Sequence, residues 1–297
     1  MLEYFNQLLP KVEKRKDILT QEYTLEYPSG NFSYYRFSSA DISAKDNVVL
    51  IAAGIHGDER CCPYTLNEHF EEIFDYAHSK GIKLVMYPLR NPSGYALNQR
   101  FNIENDRGDK EIGNNDCLHY QLEDGRWVDG LEGRNYLKWC WADDPILGLA
   151  LTTEDRLFLQ LLHREPWNQI QAVLDFHQDH LTEGLKPGAY HYSPNKNTEP
   201  YATIVSQIQE IVPLITDTLI DGGYKEDEDS AANQFYTDHR GFISRHDGSL
   251  DDLAYRLGIP HAISAETSGE ISLHLADQVN MIWIKGMIDL VAAESNR

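Results

Sequence analysis

The run NVVLIAAGIHGDE loses its apolar character at Ile55 and continues at once into His56 and, after two intervening residues, Glu59. Two later stretches have the same build: LDFHQDH carries His177 beyond an apolar run, and ISAETSG carries Glu266. Imidazole nitrogens and a carboxylate oxygen are the ligands of a catalytic divalent ion, which takes three protein donors and keeps a position for water. His56, Glu59 and His177 supply that set. Glu266 then has the remaining role, a carboxylate that stays off the ion and takes a proton as general base. Taken singly each signal is weak, because HxxE is more often a solvated turn or a helix cap. The chain has 12 histidines, and most of them must be structural or exposed. Their joint position after three separate strand patterns is what gives them weight. Asp58 lacks the matching spacing and is left out of the ligand set, and Gly57 is expected to allow unusual backbone angles in the turn. Cys61 and Cys62 read as small buried residues opening the next helix, not as ligands.

The elements that must hold these residues follow from periodicity. Residues 47–54 are a near-continuous apolar run, the pattern of a strand covered on both faces. Pro63 opens a helical pattern through His78, and IKLVMYP is a second buried strand, so the order is that of a βαβ unit in a parallel sheet. Further on, a helix is expected over 152–165 with Thr152 at its N-cap, then the strand QAVLDF. A helix from about 200 to 220, kinked near Pro213, comes next. SLDDLAYRLG reads as a short helix with Ser249 as N-cap and Gly258 as its stop; PHAISAE is a strand, and a closing helix covers roughly 273–293. The carboxyl ends of parallel strands converge on one crevice, which would gather His56, Glu59, His177 and Glu266. Residues 91–148 show little periodicity and are expected to form loops over the sheet edge, holding most of the substrate-binding polar groups. The acidic segment 221–230 reads as a solvated loop.

Bulk properties narrow the function class. With 297 residues and no linker-like tract, one catalytic domain over 1–297 is expected. A formal net charge of −21 repels nucleic acid and anionic lipid, which removes both as partners. The first residues lack the order of a signal peptide, no 18-residue apolar run exists, and the four cysteines form no disulfide framework. These features point to a reducing, cytoplasmic setting.

HGDE, NPSGY, LDFHQDH and HDGSLDDLAYRLGIPHAISAETSG occur in the order found in the funnelin-type zinc carboxypeptidases, whose relatives include the succinylglutamate desuccinylase and aspartoacylase group. The resemblance covers about residues 47 to 292 and is most specific in the last block, where Gly248, Ser249, Asp252, Tyr255, Gly258, Ile259 and Glu266 match. It implies an α/β fold, a doubly wound, mixed but mainly parallel sheet of about eight strands flanked by helices. By position it implies zinc on His56, Glu59 and His177, with Glu266 as catalytic carboxylate; a His-Glu-His set also accepts other divalent ions. Arg100, in NQRFN, matches the arginine that polarises the scissile carbonyl. The family's adjacent Asn-Arg pair, which grips a terminal carboxylate, is missing. Asn105 and Arg107 lie near its expected place, Asn114 and Asn115 offer a substitute without charge, and Arg134-Asn135 has the reverse order. Where many carboxypeptidases carry a mobile tyrosine, this chain has Phe242 or Ile243, and neither Tyr236 nor Tyr255 is assumed to replace it. Leu250 falls at the pocket base and implies an apolar or neutral pocket. The implied activity is a carboxypeptidase on short peptides. An N-acyl amino acid deacylase and, in another class, an inactive peptide-binding module are the alternatives.

Overall fold

The computed structural model describes residues 2–105, 118–121, 127–128, 138–141, 151–221, 234–246 and 248–295. Its strands are β1 (Ile18–Tyr27), β2 (Gly30–Ser39), β3 (Val48–Ala53), β4 (Lys83–Tyr87), β5 (Leu118–Gln121), β6 (Trp127–Val128), β7 (Lys138–Trp141), β8 (Ile170–Asp179), β9 (Ala189–Tyr192), β10 (Leu219–Asp221), β11 (Gln234–Tyr236), β12 (Phe242–Ile243) and β13 (His261–Ser268). The helices are α1 (Glu3–Val12), α2 (Cys61–Glu68), α3 (Phe70–Ser79), α4 (Pro92–Leu97), α5 (Thr153–Leu162), α6 (Ala202–Gln209), α7 (Leu250–Arg256) and α8 (Leu273–Ser295).

Eight strands form one mixed sheet in the order β1-β2-β4-β3-β8-β13-β9-β12, and two small sheets have the orders β6-β5-β7 and β10-β11. The four central strands, β4, β3, β8 and β13, run parallel to one another. Period-two alternation sends their side chains to opposite faces. Val49, Ile51 and Ala53 of β3 join Ala172, Leu174 and Phe176 of β8 under α1, α2, α3, α6 and α8. Val48, Leu50 and Ala52 join Val173 and Ala262 under α5 and α7. The same alternation places Asp175 and His177 of β8, and Ser264 and Glu266 of β13, on the α5/α7 face near the strand ends. The fold class is therefore the α/β arrangement anticipated, with the sheet covered on both faces. No helix among the described residues is long and apolar enough to cross a membrane.

Several local expectations change. The segment from Pro63 to His78 is two helices, broken at His69, whose ring sits 3.0 Å from both Glu72 and Asp277 of α8. The break lets Cys61, Cys62 and Leu66 of α2 and Phe70, Ile73 and Phe74 of α3 all reach the same core. The helix expected to about residue 220 ends at Gln209, because Pro213 has no N–H to continue the ladder and disfavours helix in the residue before it. The chain beyond it instead runs beside β9, where Ala189 N donates to Pro213 O at 3.1 Å and Ile215 N to Ala189 O at 2.9 Å. Ser249 does occupy the N-cap position of α7, but its hydroxyl accepts no cap bond; it donates to Asp251 Oδ1 at 2.5 Å. Thr152 caps α5 as expected, accepting from Asp155 N at 3.3 Å.

Glu154 in the first turn of α5 is fully buried and accepts hydrogen bonds on Oε2 from Tyr27 and Asn102, each at 3.0 Å. Burial, then the neighbouring Asp155, raises its carboxyl from the ordinary 4.5 to about 7. A raised acid binds its proton more tightly in the folded chain, so stability is lost as pH climbs from the unfolded value toward 7, and the loss is complete above that. Glu154→Gln keeps the accepting oxygen and removes the titration. It is expected to stabilise the protein by roughly 1–3 kcal/mol at pH 8 and by far less at pH 4. Urea midpoints at the two pH values measure this, and an equal shift at both would refute it.

Candidate metal centre

The site begins where β3 ends. Gly54, at φ +69, turns the chain in a conformation open chiefly to glycine. Gly57 has no positive φ, which corrects the expectation of unusual backbone angles there. A Cβ at Gly57 would collide with the backbone of Gly94, Tyr95 and Gln99, so the residue is glycine for space. The close approach is held by Gly57 N donating to Arg100 O at 3.1 Å and Asn91 Nδ2 donating to the same oxygen at 3.2 Å. Asn91 also caps α4, accepting from Gly94 N at 2.9 Å. The NPSGY helix thus fixes the Arg100 loop against the HGDE turn, linking two motifs whose first residues, His56 and Asn91, are 35 apart in sequence.

Within that frame His56, Glu59 and His177 meet. All three are buried, and one donor atom from each lies within 4.8 Å of the others. His56 Nδ1 is 2.6 Å from Glu59 Oε1, His177 Nδ1 is 3.2 Å from Glu59 Oε2, and the two imidazole centroids are 5.2 Å apart. The 3.2 Å approach lacks hydrogen-bond alignment, so Glu59 Oε2 is a buried oxygen with no hydrogen-bond partner. A buried carboxylate oxygen left unpaired among converging imidazole nitrogens suits a cation site, where ligands on one zinc ion sit about 3–3.5 Å apart. Among the described residues this is the one His/Cys/Asp/Glu group with such geometry. Cys61 and Cys62 are buried at the start of α2 and lie outside it.

Charge follows the same geometry. Burial, with help from the Arg100 guanidinium, lowers the His56 imidazole to about 3 and keeps it neutral, the form that ligates. Burial alone would raise Glu59, but His56 and His177 overcome it and hold the carboxylate well below its ordinary range. For His177 burial is likewise outweighed, here by Asp175 and Glu59, and its affinity for a proton is raised. Arg100 Nη1 donates to Glu59 Oε1 at 3.2 Å. Arg100 is partly exposed, and its guanidinium borders the cluster.

Glu266 stands beside His177 in register across β13 and β8, and opposite Tyr190 of β9 on its other side. Its Oε2 is buried with no hydrogen-bond partner. Burial, then Glu59 and Asp179, pushes its carboxyl well above the ordinary range against the pull of His177 and Arg100. A divalent cation in the adjacent cluster would favour the ionised form. Tyr190, which donates to Asp179 Oδ2 at 3.0 Å, is a neighbour of this site that sequence reading did not single out. Asp175 and Arg90 were not singled out either. Asp175 Oδ2 takes Arg90 Nη1 at 3.0 Å and lies 3.4 Å from His177 Nε2, while the Arg90 guanidinium stacks on Phe158 with Cζ 3.9 Å from the ring centroid. The available signal was the two-residue spacing from Asp175 to His177, which puts both on one sheet face. Nothing local marked Arg90 as their partner.

The substrate-side expectations fare differently. Asn105 is exposed, with φ +52, and is the last described residue before 106. Arg107, Asn114, Asn115 and the Arg134-Asn135 pair lie outside the described residues, as does the acidic segment from 222 to 230. Leu250 is fully buried in the core with Leu253 and Ala254 of α7. Phe242 and Ile243 are buried in β12, and Tyr236 and Tyr255 are exposed.

Solved structures with this architecture exist. A protein from Shewanella amazonensis described as a candidate metallopeptidase is 21% identical, with 98% of this chain and 90% of that chain covered at a TM-score of 0.62. A second, from Shewanella baltica and described in the same way, is 19% identical over 97% and 91% of the two chains, also at 0.62. Carboxypeptidase A from Helicoverpa armigera is 12% identical over 98% of this chain and 72% of its own, at 0.59. Likeness at such identities establishes a shared fold. No protein-family model and no curated protein sequence matches the chain.

Proposed function

We propose that this protein is a metal-dependent hydrolase of amide bonds, and specifically a zinc carboxypeptidase acting on short peptides. The observation that carries the reading is the convergence of His56, Glu59 and His177 within 4.8 Å, with Glu266 in register beside His177. The shared fold with metallopeptidase-type structures supports it. His56, Glu59 and His177 would hold the ion, and the unpartnered Glu59 Oε2 fits a ligand role. A divalent ion there supplies Lewis acidity and lowers the pKa of water at the site; zinc suits it by its tolerance of four or five ligands.

The chain's own groups perform the rest. Glu266 takes the proton of the attacking water and returns it to the leaving amine, which lets one carboxylate serve both halves of the reaction. Arg100 donates to the oxygen that gains negative charge, a role suited to a guanidinium because it stays charged and offers several donors. The buried walls of the cluster keep the electrostatics strong by excluding bulk water. A second reading, an N-acyl amino acid deacylase using the same centre, is compatible with the stretch after NPSGY, which lacks the adjacent Asn-Arg pair that would anchor a peptide's terminal carboxylate.

A panel of C-terminally free peptides, their amides and N-acyl amino acids separates the two. Carboxylate-anchored cleavage is expected to favour free peptides over amides by roughly 10- to 100-fold in kcat/KM, the worth of a charge-assisted hydrogen bond. Indifference to amidation would rule out that mode of action. Turnover of N-acyl amino acids alone would move the assignment to the deacylase.

A further inference from the structure

Asp175 is a buried carboxylate, 2% exposed, to which the proposed reaction assigns no step. It lies two residues before His177 on the same face of β8, and its Oδ2 faces both Arg90 Nη1 at 3.0 Å and His177 Nε2 at 3.4 Å. Oδ1 is buried with no hydrogen-bond partner. Arg90, 1% exposed, is itself fixed by stacking on Phe158 of α5. The far side of the same imidazole presents Nδ1 to Glu59 Oε2 at 3.2 Å. The ring is therefore held between two carboxylates, one in the donor cluster and one behind it, and the rear one is clamped by a guanidinium on a different strand connection.

We infer that Asp175, held in place by Arg90, is the positioning residue for His177, keeping a proton on Nε2 so that Nδ1 is the nitrogen offered to the metal. This rests on the metal-site reading proposed above. The physical reason is that a neutral imidazole has one N–H and one lone pair, and the partner of one nitrogen decides the role of the other. At 3.4 Å the approach is a charge contact; closed to a hydrogen bond, an Nε2–carboxylate pair raises the basicity of Nδ1 and fixes the ring plane, an effect that in metal sites is typically worth about 10–100-fold in affinity. Arg90 sharpens the device. Asp175 alone could swing about its own torsions, whereas an acceptor pinned by a stacked guanidinium holds one orientation toward the ring.

Two measurements test this without using turnover. In the ¹⁵N-labelled, Zn²⁺-loaded wild type, long-range ¹H–¹⁵N spectra should show His177 protonated at Nε2; a proton on Nδ1 would overturn the inference, and this needs no variant to fold. Asp175→Asn should weaken binding of Zn²⁺ or Co²⁺ by about 10–100-fold in competition with a chromophoric chelator and change the Co²⁺ ligand-field spectrum. Arg90→Lys should give a smaller loss in the same direction. Glu165→Gln is the control, because it disrupts another part-buried ion pair, with Arg36 at 2.5 Å, and should leave metal affinity unchanged. Unchanged affinity and spectrum in a folded Asp175→Asn protein would overturn the inference, as would an equal loss in Glu165→Gln. A wild type that binds none of these ions would instead overturn the metal reading beneath it.

Discussion

Replacing Glu266 by Gln is expected to leave the bound metal in place and lower kcat/KM by roughly 10²- to 10⁴-fold, the usual contribution of a positioned general base. The amide matches the carboxylate in shape, so the packing between His177 and Tyr190 in register on either side survives. It cannot accept a proton, and that is the function removed. Glu266 is not one of the three converging donors, so the ion should stay. Steady-state kinetics alongside metal analysis of the same samples decides the matter. Full activity would end the general-base assignment, and a parallel loss of metal would move Glu266 into the ligand set.

His177→Ala is expected to have the opposite signature: metal content falls first, and activity falls with it. Wild-type protein purified without chelator should carry about one ion per chain, and the variant should bind it at least about 100-fold more weakly, beyond the effect of a supporting hydrogen bond. His177 is the only one of the three donors contributed by β8; His56 and Glu59 share one turn after β3. Removing it leaves a two-donor turn that cannot close around an ion. Elemental analysis after gel filtration gives the ratio, and an unchanged ratio would remove His177 from the site.

Much of this architecture was legible in short stretches. The unbroken apolar runs at 47–54 and IKLVMYP could be covered strands, and a strand-helix-strand order with short connections leaves a parallel sheet as the economical arrangement. Thr152 announced α5, and Pro63 and Gly258 marked helix boundaries, because caps and stops are local backbone chemistry. The hairpin of β1 and β2 is marked on one strand only. β1 alternates over residues 21–27, whereas β2 breaks period two with adjacent buried pairs at Tyr34-Tyr35 and Phe37-Ser38. The break at His69 was hidden for a different reason: the ring's partner, Asp277, comes from α8, more than 200 residues away.

The candidate site divides along the same line. Sequence alone determined that His56 and Glu59 leave a strand end together and that His177 and Glu266 lie near two other strand ends, because alternation is written into neighbouring residues; that β8 and β13 run on past them, to Asp179 and Ser268, is a finding of the structure. Only the tertiary structure decided that these ends lie side by side, that Gly57 is small because α4 presses its backbone against the turn, and that His177 turns Nδ1 to Glu59 and Nε2 to Asp175. Leu250, the first residue of α7, is fully buried in the core, and its packing partners come from segments distant in the chain. Strand register, close approach of backbones and the partner of a buried charge are set by segments distant in the chain, and no local pattern of residue types encodes them.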